Sequence, residues 1–279
     1  MSAQPRRVRV RKLLPYPFLI VGGVIMFLPL YMMLATSFKT TMEFYADPFG
    51  LPRGLSLDNY ADVWFQGQMN VFFKNSVIIS ISTVALAVVC ATLAGYALAC
   101  MRIPGSTIIF YVLLAALMVP TEIIILPLFV EFRDLRLLNT FPSLILPYAS
   151  LSMAFSTYLL RGFFKTLPPE LAEAARIDGA GEFATFYRVM LPLALPGIAT
   201  IAIFAFMGSW SEFFLATLFV SNPDLRPVTA GLFGFSGTYQ TNWGALSAGY
   251  AIVIAPIVIM FLFLQRFFIR GLTMGALKG

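Results

Sequence analysis

The stretch Asn75–Met101, NSVIISISTVALAVVCATLAGYALACM, contains no charged residue. A helix crosses the hydrocarbon core of a bilayer in about 20 mostly apolar residues, and this run exceeds that length. Strands of a membrane barrel alternate apolar and polar residues over about ten positions, whereas this run is continuously apolar, so it reads as a spanning helix. Five more windows of the same kind lie outward from it. Leu13–Phe38 precedes it, and Ile103–Val130 (interrupted by Glu122), Leu137–Leu160 and Val189–Val220 (interrupted by Glu212) follow. The last is the part of the charge-free stretch Pro227–Gln265 from about Trp243 onward. The expectation is an all-α membrane protein with six transmembrane helices. Between Pro227 and Asn242 stand Gly231, Gly234, Ser236, Gly237, Thr238 and Gln240. Backbone this polar survives near a membrane only under cover of protein or water, so a short helix or loop at the surface is expected there.

Composition agrees with that reading. Of the 279 residues, 59% are hydrophobic and 11% charged, with a mean hydropathy of +0.84; soluble domains carry about 45–50% and about 25%. A water-soluble enzyme is excluded. The chain has no histidine, which removes a Ser/His/Asp triad, an imidazole base and a His-ligated zinc. Neither a catalytic residue nor a metal site is expected. Cys90 and Cys100 share one apolar run, about 15 Å apart along a helix, too far for a disulfide. The net charge of +6 comes from basic residues beside the apolar runs, where they set topology rather than bind nucleic acid.

Lysines and arginines orient the spans. The tail has Arg6, Arg7, Arg9, Arg11 and Lys12, the link after the second span Arg102, and the link after the fourth Arg161, Lys165, Arg176 and Arg188. Arg266, Arg270 and Lys278 follow the last span, so this side holds thirteen of the 19 basic residues and is cytoplasmic by the positive-inside rule. Both termini then face the cytoplasm, which an even number of spans requires. The expected organisation is a basic tail (1–12), a first span (13–38), an external loop (39–74), a transmembrane core (75–265) with an internal loop (165–192), and a cytoplasmic tail (266–279). A cleaved leader ending near Ala35-Thr36-Ser37 fits less well, because a leader core is only about 7–15 residues long. The external loop, with Pro48, Gly50, Pro52, Gly54, Asp58, Asp62 and Trp64, is too polar for lipid and is read as covering a pathway mouth or touching an external partner.

The internal loop carries the strongest signal. Leu167-Pro168-Pro169-Glu170-Leu171-Ala172-Glu173-Ala174-Ala175-Arg176-Ile177-Asp178-Gly179-Ala180 predicts a short helix, with proline and acid in its first turn, alanines within it and Gly179 as a left-handed cap. Leu171, Ala174 and Ala175 share one face by the i, i+3, i+4 rule. A second short helix, Glu182–Met190, is expected to be closed off by Pro192 before the fifth span.

The spacing of Glu173-Ala174-Ala175, Gly179, Val189 and Leu191-Pro192 resembles the EAA loop of permease subunits of ATP-binding-cassette (ABC) importers, departing only at Val189, where isoleucine is commonest. Phe164, Leu167-Pro168, Glu170-Leu171, Ile177-Asp178-Gly179-Ala180, Leu138-Asn139-Thr140 and Leu144-Ile145-Leu146-Pro147 are similar to the carbohydrate branch. The ending Gly271–Gly279 is similar to the smaller permease of maltose- and trehalose-type importers. The resemblance runs from the first span to the last residue. It implies the ABC type I importer permease fold in a prokaryotic plasma (inner) membrane, and a coupling helix docking on a separate ATPase. Glu173, Ala174, Ala175, Asp178, Gly179, Ala180, Leu191 and Pro192 would form the coupling contact. It implies as partners a second permease in a heterodimer, two ATPase subunits, an extracytoplasmic solute-binding protein and a carbohydrate, with membrane lipid around the spans. A helix merely lying on the membrane prefers Lys and Arg on one face and Trp or Phe on the other, whereas this one is acidic and alanine-rich. A P-loop is missing: Gly162-Phe163-Phe164-Lys165-Thr166 lacks its spacing and the glycine before the lysine. ATP and Mg²⁺ then belong to the partner ATPase, this chain has no cofactor, and it is not an enzyme.

Two carboxylates stand inside spans, Glu122 and Glu212. Each costs on the order of 2–3 kcal/mol in mid-membrane, so such groups face a bundle interior or water, or pair with a neighbouring helix. Beside Glu212, Trp210 offers a flat face for a sugar ring, and Ser209 and Ser211 offer hydroxyls; the segment resembles the family's Trp-Asn-Glu-Phe pattern, with Ser211 in place of asparagine. Tyr148, Ser152, Ser156 and Thr157 put hydroxyls on the fourth span, which suit a neutral polyol or serve helix packing. The expected substrate path is Glu212, Trp210, Ser209, Ser211, Glu122, Tyr148 and Ser152. A stand-alone secondary transporter or channel using Glu122 and Glu212 for protons is the alternative, and a membrane-embedded enzyme using them as acid and base is a further one.

Overall fold

The structure is a computed structural model that describes residues 15–238 and 242–276. All regular structure among them is helical. Four helices are long and apolar enough to cross a membrane singly, and two bent helix pairs bring the number of spans to six if each pair is one span. The chain divides into two compact units.

The first unit comprises the described residues up to Met69 together with 234–254. Helix α1 (Pro15–Ser37) is apolar all round and buries only Ala35, Thr36 and Ser37, the pattern of a helix whose solvent is lipid. Beyond it the expected external loop is folded. Helix α2 (Thr41–Ala46) is capped by Thr40, whose hydroxyl accepts from the Glu43 amide at 3.2 Å. Helix α3 (Asp58–Ala61) runs into a π turn, Asp62–Gln66. Lys39 is 1% exposed, and its ammonium donates to the Asp47 carbonyl at 2.7 Å. The Asn59 amide donates to the carbonyls of Ser37 and Lys39, both at 2.9 Å. These bonds satisfy backbone groups that a bare connector would leave to water.

The second unit, 70–233 with the residues from Ala255 onward, holds most of the remaining spans. Helix α4 (Met69–Cys100) begins six residues before the charge-free window, because exposed Lys74 is a good helix former and does not end a helix. The third span is not one rod. It consists of α5 (Ser106–Ala116) and α6 (Thr121–Asp134), bent by 97°, and the break ends at Pro120, which has no N–H and disfavours helix at Val119. Helix α7 (Pro142–Phe164) is the fourth span, α8 (Pro169–Ile177) lies in the internal loop, and α9 (Glu182–Leu193) includes a π turn at Phe186–Met190. Helix α10 (Leu195–Ser211) bends 76° from α9. The expected fifth span ends early: Glu212 is extended, and α11 (Phe214–Phe219) follows as a separate turn and a half. Helix α12 (Val228–Thr238) is a short helix, one of the two forms expected for the glycine-rich segment, but its start is covered rather than at the surface, since Val228, Ala230 and Leu232 are buried. Its start is tied to α4, the Val228 amide donating to the Ser76 hydroxyl at 2.8 Å. Gly231 is what permits the approach, because a Cβ there would run into the Phe72 ring. Helix α13 (Trp243–Ala276) closes the chain; the remainder of the expected C-terminal tail lies outside the described residues.

Small residues hold the spans together. Ala87, Ala149 and Ala205 from α4, α7 and α10 meet in one buried layer, the close packing that associates helices where no hydrophobic effect acts between them. At Gly95 a Cβ would stand 2.9 Å from the Leu160 Cβ and 3.1 Å from the Arg161 amide nitrogen. Gly95→Leu is therefore expected to force α4 from α7 and destabilise the protein by about 1–3 kcal/mol, read as a lower melting temperature in detergent; an unchanged value would contradict the close approach.

Candidate functional site

Two features stand out in the second unit, a cavity among the spans and the internal loop. The cavity is about 580 Å³. Its polar lining is Thr121 and Glu122 from α6, Tyr148, Ser152 and Ser156 from α7, and Ser209 and Glu212 at the end of α10. Phe155, Phe204 and Phe214 supply aromatic walls. Five of the residues expected along a substrate path thus share one space: Glu122, Tyr148, Ser152, Ser209 and Glu212.

The break after α10 is organised around Glu212. Its Oε1 accepts from the Leu215 amide at 2.8 Å, and its Oε2 from the Ala216 amide at 3.1 Å and the Tyr148 hydroxyl at 2.5 Å. The carboxylate satisfies the orphan amides of α11, and the Thr229 hydroxyl donates to its backbone carbonyl at 2.6 Å. Glu212 both lines the cavity and pairs with a neighbouring helix. Glu122 differs: it is exposed and makes no hydrogen bond or ion pair among the described residues. Ser156 is 1% exposed, and its hydroxyl has no hydrogen-bond partner among the described residues.

Two expected path residues lie elsewhere. Trp210 is 1% exposed, stacked on Phe206 at 5.3 Å and edge-on to Phe73 at 5.4 Å. With Phe206 stacked on it and the ring enclosed, it offers no platform to a sugar here. Ser211 is exposed and donates to the Met207 carbonyl, away from the cavity. The aromatic walls carried no signal of their own, being three of 28 phenylalanines.

In the internal loop, Gly179 has φ +84°. The Ala180 amide donates to the Ala175 carbonyl at 2.9 Å and the Gly179 amide to the Arg176 carbonyl at 3.1 Å, which is a Schellman cap. Helix α8 rests on the spans through Ala172, buried in a cluster with Ala91, Tyr96, Leu160, Phe164 and Phe186. Of the face shared by Leu171, Ala174 and Ala175, Leu171 and Ala174 are exposed and Ala175 is half-buried, and Ile177 is 85% exposed. Glu173 and Asp178 are exposed as well. Pro192 does not close α9; the helix continues to Leu193 and bends at Ala194. The π turn makes this possible, because the Leu191 amide reaches back to the Phe186 carbonyl and loosens the turn against which the proline ring would clash.

Arg176 clamps Glu182 with Nε to Oε1 at 2.7 Å and Nη2 to Oε2 at 3.2 Å. This hydrogen-bonded pair raises the Arg176 pKa and lowers that of Glu182. A lowered carboxylate pKa means the pair is intact above the ordinary carboxylate range and is lost only as pH falls through the lowered value.

Residues 88–274 match the model of the family described as binding-protein-dependent transport system inner membrane component. The chain is 36% identical over 94% of its length to 88% of the diacetylchitobiose uptake system permease protein NgcG of Streptomyces coelicolor. It is also 36% identical, over 96% of each chain, to the arabinooligosaccharides transport system permease protein AraQ of Halalkalibacterium halodurans. The fold matches a chain of the crystal structure of a bacterial ABC transporter involved in the import of the acidic polysaccharide alginate, with TM-score 0.81 and 21% identity over 96% of this chain and 100% of that one. The chain belongs to the family of binding-protein-dependent transport system inner membrane components, the permeases of ABC importers, and is a transport component rather than an enzyme.

Proposed function

We propose that this chain is one permease subunit of an ATP-driven importer for a neutral oligosaccharide, working by alternating access. The observation that carries the coupling is α8: a glycine-capped helix with Ala172 as its one buried residue and with Leu171, Ala174 and Ile177 uncovered. That face suits the cleft of a separate ATPase, which supplies ATP and Mg²⁺ chemistry. A second permease, two ATPase subunits and an extracytoplasmic binding protein complete the machine, with both termini of this chain in the cytoplasm. ATPase closure pushes α8, opens the path outward to the binding protein, and hydrolysis resets it inward.

The cavity supports the substrate class. Glu122, Ser152, Ser156 and Ser209 offer acceptors and hydroxyls beside aromatic walls, and no lysine or arginine among the described residues lines the space, so a polyol fits and an anionic sugar would find hydroxyls but no cation to offset Glu122 and Glu212. The relatives named for diacetylchitobiose and arabinooligosaccharides support the same class, whereas the importer of the same fold at 21% identity is involved in the import of an acidic polysaccharide. The test is uptake into proteoliposomes of the whole complex, comparing a neutral oligosaccharide with a uronate of equal length. Neutral uptake should dominate, and preferential uronate uptake would overturn the class. Glu122→Gln should keep most neutral uptake, while Glu122→Lys should lose about tenfold by putting an unmatched cation in the cavity; equal uptake by both variants would remove Glu122 from the path.

A further inference from the structure

Resting on the importer reading, we infer that Glu182 is the joint that passes the displacement of α8 to the spans, with Arg176 and Tyr96 as its two arms. Helix α8 is short and shares with the spans only one buried side chain, Ala172. A push along it reaches α9 through the backbone and through their packing, and a side-chain connection to α4 would give it direction. Arg176, in the last turn of α8, clamps the Glu182 carboxylate through two bonds, and the Tyr96 hydroxyl donates to Oε2 of the same carboxylate at 3.2 Å. One carboxylate therefore connects the internal loop to α4.

Tyr96 is well placed to carry force onward. It is 4% exposed, and its ring meets Phe186 at 4.9 Å and Phe164 at 5.7 Å. The preceding residue is Gly95, where α4 and α7 touch so closely that no Cβ fits. The Arg161 guanidinium adds a bond from α7 to the Leu98 carbonyl at 3.3 Å. Helices α4 and α7 thus move together at this level, and α7 carries Tyr148, Ser152 and Ser156 on the cavity wall. Displacing Glu182 moves that wall against Ser209 and Glu212. Tyr96 and Glu182 are positioning residues; neither touches the cavity.

The test uses the complete importer in proteoliposomes with its binding protein, measuring sugar taken up per ATP hydrolysed for wild type, Tyr96→Phe and Glu182→Gln. Tyr96→Phe keeps the ring contacts and removes only the hydroxyl. Both variants should still co-purify the ATPase, and uptake per ATP should fall about fivefold, the equivalent of one hydrogen bond. An unchanged ratio in both variants would overturn the joint. Loss of ATPase co-purification would also overturn it, since the cluster would then serve assembly. Absence of ATP-dependent uptake in wild type would instead be a failure of the importer reading.

Discussion

A Gly179→Val variant is expected to lose more than about tenfold of ATP-driven uptake while its spans remain folded. Gly179 sits at φ +84° with nothing within 4 Å of where a Cβ would be, so space is no obstacle and the cost is conformational. A non-glycine residue in the left-handed region costs about 1–2 kcal/mol, more for a β-branched side chain, and 1.4 kcal/mol is about tenfold in population. The cap bonds from Ala180 to Ala175 and from Gly179 to Arg176 would be replaced by a frayed last turn. Arg176 lies in that turn, so the coupling face and its connection to Glu182 are disturbed together. Uptake and ATPase co-purification by the same preparation check this, with thermal unfolding in detergent as the folding control. Normal uptake by the variant would mean that the shape of this cap has no part in coupling.

The second large effect is expected at Glu212. Glu212→Ala leaves the Leu215 and Ala216 amides and the Tyr148 hydroxyl without their acceptor at membrane depth. At about 1 kcal/mol for each intramembrane hydrogen bond the loss is about 3 kcal/mol, and the hydrogen-bonded link between α7 and the start of α11 goes with it. The variant should melt several degrees lower and express poorly. Glu212→Gln keeps an acceptor oxygen and should fall between it and wild type. If Glu212→Ala is as stable as wild type but defective in uptake, the carboxylate serves the substrate and not the break in the helix.

The apolar runs made the class of fold legible, because only continuous helices satisfy their own backbone in lipid. The helix of the internal loop and its end were legible too, because proline, acid and alanines favour its start and body and a glycine after them favours a left-handed cap, as Gly179 shows at φ +84°. Chain breaks were harder to read. The windows joined α5 to α6 and α10 to α11, since Pro120 and Glu212 each sit within an apolar stretch whose composition does not reveal a 97° bend or an extended residue. Which residue of α8 packs on the spans was not legible: periodicity groups Leu171 with Ala174, and the residue buried against Tyr96 and Phe164 is Ala172. At the cavity, residue types pointed to Glu122, Glu212 and the α7 hydroxyls, while Trp210 was misplaced because an aromatic ring suits a phenylalanine cage as well as a sugar. The joint at Glu182 escaped because its arms lie far apart in the chain, at Tyr96 and Arg176.

The most direct measurement is uptake of an oligosaccharide into proteoliposomes that hold this permease with its partner permease, ATPases and binding protein, with ATP supplied or withheld and ion gradients collapsed by ionophores. The account predicts uptake that requires ATP and the binding protein and is indifferent to the ionophores. Uptake that proceeds without ATP and stops when the proton gradient is collapsed would contradict it, and would make Glu122 and Glu212 the groups that drive transport.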